Sequence, residues 1–107
     1  MAHFTDNQGR DWHFCLTTMA ARWIGAELDF PLAEMLDPAT STEPIRELVA
    51  SPDLAGLIVW LLVEDNAEVF DVTSEEFFGG MDEQAESRAL VAILQAVRAR
   101  NLSRAKA

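Results

Sequence analysis

Cysteine is almost absent. Cys15 is the only one in 107 residues, so an intrachain disulfide is excluded and reducing surroundings are expected. Bases are scarce too: eight against 18 acids, a formal charge of −10. Their placement is uneven. Residues 1–97 hold all 18 acids and only Arg10, Arg22, Arg46 and Arg88, for −14, while residues 98–107 hold Arg98, Arg100, Arg104 and Lys106 with no acid, for +4. A body this acidic repels nucleic acid and anionic membranes, so neither is expected as a partner. Its acidity serves solubility or offers a face to a basic partner. Long apolar runs are also missing. The longest, Leu54 to Val63, has ten residues, half of the roughly 20 that span a bilayer. The opening "MAHFTDNQG" has no basic stretch and no apolar run, so no secretory signal is expected and the chain is read as cytoplasmic.

What is present suits one small domain over residues 1–107, half of them hydrophobic. The pattern divides it into a hairpin (1–16), a helical part (17–100) and a basic flexible tail (101–107). In "FTDNQGRDWHF" the loop Asn7-Gln8-Gly9, with Gly9 left-handed, pairs Asp6 with Arg10. Phe4 then faces Trp12, an aromatic cross-strand pair. Trp12, Phe14 and Leu16 point one way and Asp11, His13 and Cys15 the other. A lone two-stranded ribbon is marginal, so its apolar face must pack on helices, with Phe4, Trp12 and Phe14 as anchors.

The rest reads as about four to five short helices, which makes the fold α+β and mainly α. Thr17 or Thr18 caps a helix to about Leu28, with Met19, Trp23, Ile24 and Leu28 on one stripe. Pro31 starts a helical turn that Pro38 ends. "TEPIRELVA" is a short helix with Pro44 as its first residue and Ile45, Leu48 and Val49 inward. Ser51-Pro52-Asp53 opens a helix that is apolar nearly all round and therefore central. It is expected to end near Glu64-Asp65-Asn66, and since acids at a helix C-terminus oppose the macrodipole, those side chains are expected to be solvated and the end frayed. "VTSEEF" holds a capping box, Thr73 with Glu76, before a short helix that Gly79-Gly80 stops. A last helix spans Asp82 to Arg100, with Ala85, Ala89, Leu90, Ile93, Leu94 and Val97 at helical spacing. Its arginines sit in the last turn, as the dipole favours.

No residue set assembles into catalytic machinery, and no enzyme is expected. His3, His13 and Cys15 share the outward hairpin face, but their spacing matches no zinc signature. His13 and Cys15 lack oxyanion donors and an orienting third group. Cys15 is read instead as a half-buried small hydrophobe. Glu64, Asp65, Glu68, Asp71, Glu75 and Glu76 crowd one loop without the glycine and ligand order of a calcium loop. They are read as a solvated rim or a dock for a basic partner. Gly79-Gly80 lacks the Lys-Ser/Thr of a phosphate loop. No metal and no cofactor is expected. Phe77, Phe78 and Met81 are either core or an exposed hydrophobic contact; Phe77 and Phe78 are adjacent on one helix and cannot face the same way, so one of them sits near the surface or under a neighbouring loop.

The order of these pieces is distinctive: a "D-x-x-G-R-x-W" hairpin, a proline-opened helix "SPDLAGLIVWLL", "VTSEEF", and a last alanine-rich helix. It resembles the small tail assembly chaperone-like proteins encoded in the tail modules of tailed phages and prophages, from Phe4 to Arg98. The resemblance implies a non-enzymatic role in the cytoplasm of a bacterial host cell. The partner would be a hydrophobic helical client, the tape-measure protein, kept soluble until the tail tube forms. A helix-in-groove contact follows, lined from Trp23, Trp60, Phe77 and Phe78. Two alternatives stay open. One is a structural tail or connector component that forms a homo-oligomer through its hairpin edge. The other is an acidic inhibitor or DNA mimic.

Overall fold

The computed structural model describes residues 2–69 and 71–106, the side chains of 65–69 and 101–106 excepted. The fold is α+β and mainly α. Its elements are β1 (Ala2–Thr5), β2 (Asp11–Phe14), α1 (Thr18–Leu28), a 3-10 turn (Leu32–Leu36), α2 (Thr42–Ala50), α3 (Pro52–Val69), α4 (Ser74–Gly79) and α5 (Glu83–Lys106).

The hairpin has the expected register, with Phe4 opposite Trp12 and His3 opposite His13. Gly9 closes the turn at φ +81°, which costs glycine nothing and a side chain much. Period-two alternation then sorts the strands: Phe4, Trp12 and Phe14 are buried, and Thr5, Asp11, His13 and Cys15 are exposed. The three aromatic rings are the hairpin's anchors in the core. Cys15 is exposed rather than half-buried, because it falls on the outward phase of the strand pattern.

The ribbon lies against the two long helices, β1 on α5 and β2 on α3, and these helices pack on each other. The buried residues of the two helices are small or branched: Ala55, Ile58, Val59 and Val63 of α3, and Ala85, Ala89, Ala92, Ile93 and Val97 of α5. Both helices outrun their expected ends. The backbone of α3 continues one turn past Glu64 to Val69, and that of α5 is helical to Lys106 where a tail was expected from residue 101. Alanine, glutamate and arginine are strong helix formers, and they carry the propagation past these unfavourable or uncapped stretches. Ala107 lies outside the described residues.

Two inward faces differ from expectation. On α1 the buried residues are Ala21 and Ile24, with Leu28 half-buried, while Met19 and Trp23 are exposed, Trp23 at 49 %. The helix packs against the 3-10 turn and α3, and the stripe from Met19 to Leu28 is wider than the face that is buried. On α2, which begins at Thr42, Pro44 and Leu48 take the inward face at i and i+4. Val49 is a further 100° round and lies exposed.

The caps are as the sequence implies. Thr17 Oγ1 accepts from the Ala20 N–H, and Thr73 and Glu76 exchange both bonds of a capping box. Thr73→Ala removes that box from a helix of six residues. It should cost about 1 kcal/mol in urea denaturation, and an unchanged midpoint would contradict this.

Candidate functional site

The tip of the hairpin hides a polar clasp. Asp6 is the one charged residue in the core among the described residues. Its Oδ1 accepts from the backbone N–H groups of Gln8 (2.9 Å) and Arg10 (3.0 Å). Its Oδ2 accepts from Arg10 Nε (2.8 Å) and Trp12 Nε1 (3.0 Å). Four donors fill the acceptor sites of one carboxylate, which is the condition for burying it cheaply. Arg10 then reaches outward: its Nη2 donates to the Glu76 carbonyl at the end of α4 (2.9 Å). A cation suits the negative end of a helix. The Asn7 N–H donates to the Gly80 carbonyl (3.0 Å). The hairpin tip is thus fastened to the α4 terminus by side chain and backbone together.

Gly80 makes this closeness possible. A Cβ there would stand 2.9 Å from Arg10 Nη2 and 3.0 Å from Asp6 Oδ2. Gly80→Ala should therefore cost about 1–3 kcal/mol, the usual penalty for overpacking. Urea denaturation reads it, and a neutral outcome would show that the clasp yields freely.

Burial alone pushes the Asp6 carboxyl up, but the hydrogen bonds from Trp12, Arg10 and Gln8 outweigh it, and the net shift is below the ordinary value of 3.8. The folded pKa is lower than the unfolded one. Asp6 therefore stabilises the fold above the unfolded pKa, and that contribution is lost as pH falls through the folded value. The stability gap between wild type and Asp6→Asn should be full near about pH 6 and shrink below about pH 4. Urea titrations over a pH series check it; a gap constant to about pH 2 would contradict it.

Above the clasp lies an aromatic cluster. Phe77 is 0 % exposed. Its ring meets Trp12 edge-on at 5.2 Å, Trp60 at 5.1 Å and Phe78 edge-on at 5.2 Å. Phe77 therefore belongs to the core and does not line a surface groove. Phe78 is its outward neighbour, 38 % exposed, with its ring 6.2 Å from Trp60. Trp60 is half-buried. Trp23 stands apart on α1, in none of the ring contacts among the described residues. Of the four expected lining residues, the structure brings three together, and two of those reach the surface.

Two further residues complete that surface. Leu57, one turn before Trp60 and Leu61 on α3, is 39 % exposed. Met81 is half-buried, and its Cε lies 3.5 Å from where a Cβ on Gly56 would be. The helix-period pattern of α3 hid Leu57 because the whole helix is apolar. Met81 is legible in the sequence beside Phe77 and Phe78, as core or exposed contact, and the structure leaves it between the two, half-buried.

On the opposite, outward face of the hairpin, the His3 and His13 rings stack at 5.3 Å. Asp11 contacts both, at 3.3 Å to His3 Nδ1 and 2.9 Å to His13 Nε2. All three are about half exposed or more. No group of three His, Cys, Asp or Glu among the described residues is arranged to hold a metal. A cleft of about 460 Å³ between the hairpin and α5 has His3, Cys15 and Gln95 on its walls. Another, of about 450 Å³, is lined by Asp53, Glu83 and Glu86 with Pro52 and Ser87. Of the expected acidic loop, Glu64 sits on α3, Asp71 has φ +56°, and Glu76 is engaged in the capping box; the side chains of Asp65 and Glu68 lie outside the described residues. No helix among the described residues is long and apolar enough to cross a membrane.

Comparison with known proteins finds no match: no family model, no curated relative and no solved structure is significantly similar to this chain.

Proposed function

We propose that this chain is a non-enzymatic, tail assembly chaperone-like protein of a tailed phage or prophage. It acts in the cytoplasm of the bacterial host cell and holds a hydrophobic helical client of the tape-measure kind. The observation that supports this reading is the apolar face of α3 and α4. Leu57 and Phe78 are exposed beside half-buried Trp60 and Met81. They stand on an acidic frame. An exposed contiguous apolar patch on a small monomeric domain marks a contact surface. The acidic body supplies the solubility that a holder of greasy helices needs.

The test is co-expression with a long, aggregation-prone helical tape-measure protein. A co-purifying complex and a raised soluble fraction of the client are expected. A client that stays insoluble and unbound would overturn the reading.

A structural tail component is the second reading, and one feature favours it. Among the described residues strand β2 pairs only with β1, in a two-stranded sheet, and an unpaired strand edge is the feature that strand addition uses. Concentration-dependent rings or tubes of the purified protein, seen by electron microscopy, would favour it over the chaperone.

A further inference from the structure

On α3, Asp53, Leu57, Trp60, Leu61 and Glu64 fall at i, i+4, i+7, i+8 and i+11. They form one outward stripe of about 16 Å at 1.5 Å per residue. All five are exposed or half-buried. The stripe is apolar in its middle and carries a carboxylate at each end. Phe78 widens it by lying against Trp60, and Glu75, exposed, precedes Phe78 by one turn of α4. Among the described residues none of Asp53, Glu64 and Glu75 is in an ion pair. Between Arg46 and Arg88 the chain holds eleven acids and no base. The Arg10 guanidinium, which reaches the α4 backbone, is committed to Asp6 and the Glu76 carbonyl.

We infer that this face docks a cationic amphipathic helix of a partner chain. The inference rests on the chaperone reading and names the chemistry of the segment held. A straight helical stripe of about three turns is matched in length and shape by another helix, whose apolar residues at i, i+3/i+4 and i+7 meet Leu57, Trp60 and Phe78. Lysines or arginines flanking that stripe meet Asp53, Glu64 and Glu75. Charges of this kind at a rim steer the partner in and reject acidic helices. A second copy is a poorer occupant, since two bodies of −10 repel each other.

The full chain is titrated, by tryptophan fluorescence, with three synthetic 18-residue peptides. One is a Leu/Lys amphipathic helix. The second has the same pattern with Glu for Lys. The third has the Leu/Lys composition in an order that gives no stripe. Saturable one-to-one binding of the first alone is expected. Phe78→Ser, or Leu57→Ser should the former fail to fold, should weaken it at least tenfold. Joint Asp53→Asn, Glu64→Gln and Glu75→Gln should weaken it at low salt and not at high salt, where screening already removes the rim's effect. Equal binding of the unpatterned peptide, equal binding of the Glu peptide, or indifference to both serine variants would overturn the inference. So would sedimentation showing a second copy seated on this face. A protein that solubilises its client without preferring the cationic helix refutes this inference alone. One that prefers it but leaves every client insoluble refutes the chaperone reading.

Discussion

Asp6→Ala is expected to destabilise the protein by about 3–5 kcal/mol, the range for removing one partner of a buried charged network. The substitution takes away four accepted hydrogen bonds. It takes an acceptor from the Trp12 indole N–H and leaves the Arg10 guanidinium without its counter-charge. Against a total stability of about 5–15 kcal/mol for a domain of this kind, the loss is large. Asp6→Asn should recover little. Its amide would turn an NH2 toward Arg10 Nε and Trp12 Nε1, and both are donors. Urea denaturation followed by tryptophan fluorescence measures both variants, and a loss under about 1 kcal/mol for Asp6→Ala would show that the clasp is not what holds the hairpin.

The adjacent phenylalanines should separate stability from function. Phe77→Ala opens a cavity between Trp12, Trp60 and Phe78 and should cost about 3–5 kcal/mol. Phe78→Ala removes a ring that is partly in water already and should cost about 1 kcal/mol, mostly its edge-on contact with Phe77. If the proposed function holds, their order should reverse for client binding: the Phe78 variant should fold and lose the client, whereas the Phe77 variant should fail first as a protein. Thermal melts and client pull-down at about 15 °C, well below the melting range expected for such a domain, read the two effects. Equal stability losses would contradict the assignment of Phe77 to the core and Phe78 to the surface.

The hairpin was legible residue by residue because its information is local. Alternation, a glycine at the tight turn and an aromatic pair all lie within eleven positions. The Thr17 and Thr73 caps were legible for the same reason. The clasp was not. Asp6 reads as an ordinary turn residue, and only the arrival of α4 some 70 residues later in the chain encloses it (Arg10 to Glu76 spans 66). A buried role could have been suspected from one carboxylate placed near both an arginine and a tryptophan indole. Helix faces were legible where one side was plainly polar, as on α5. They failed on α1, whose apolar stripe is wider than its covered side, and on Val49, which lies beside the inward pair Pro44 and Leu48. For the candidate site, helix geometry demanded that Phe77 and Phe78 diverge, but it could not choose between them. That choice depends on Trp12 arriving from the hairpin.

The most direct test places a photo-crosslinker on the surface of the folded protein in cells that also make the client. Phe78 and Leu57 are each replaced by p-benzoylphenylalanine, with Trp23 and Val91, also exposed, replaced in parallel. The proposal predicts covalent adducts to the client from positions 78 and 57 and none from 23 or 91. Adducts from 23 or 91 alone would place the contact elsewhere and contradict it.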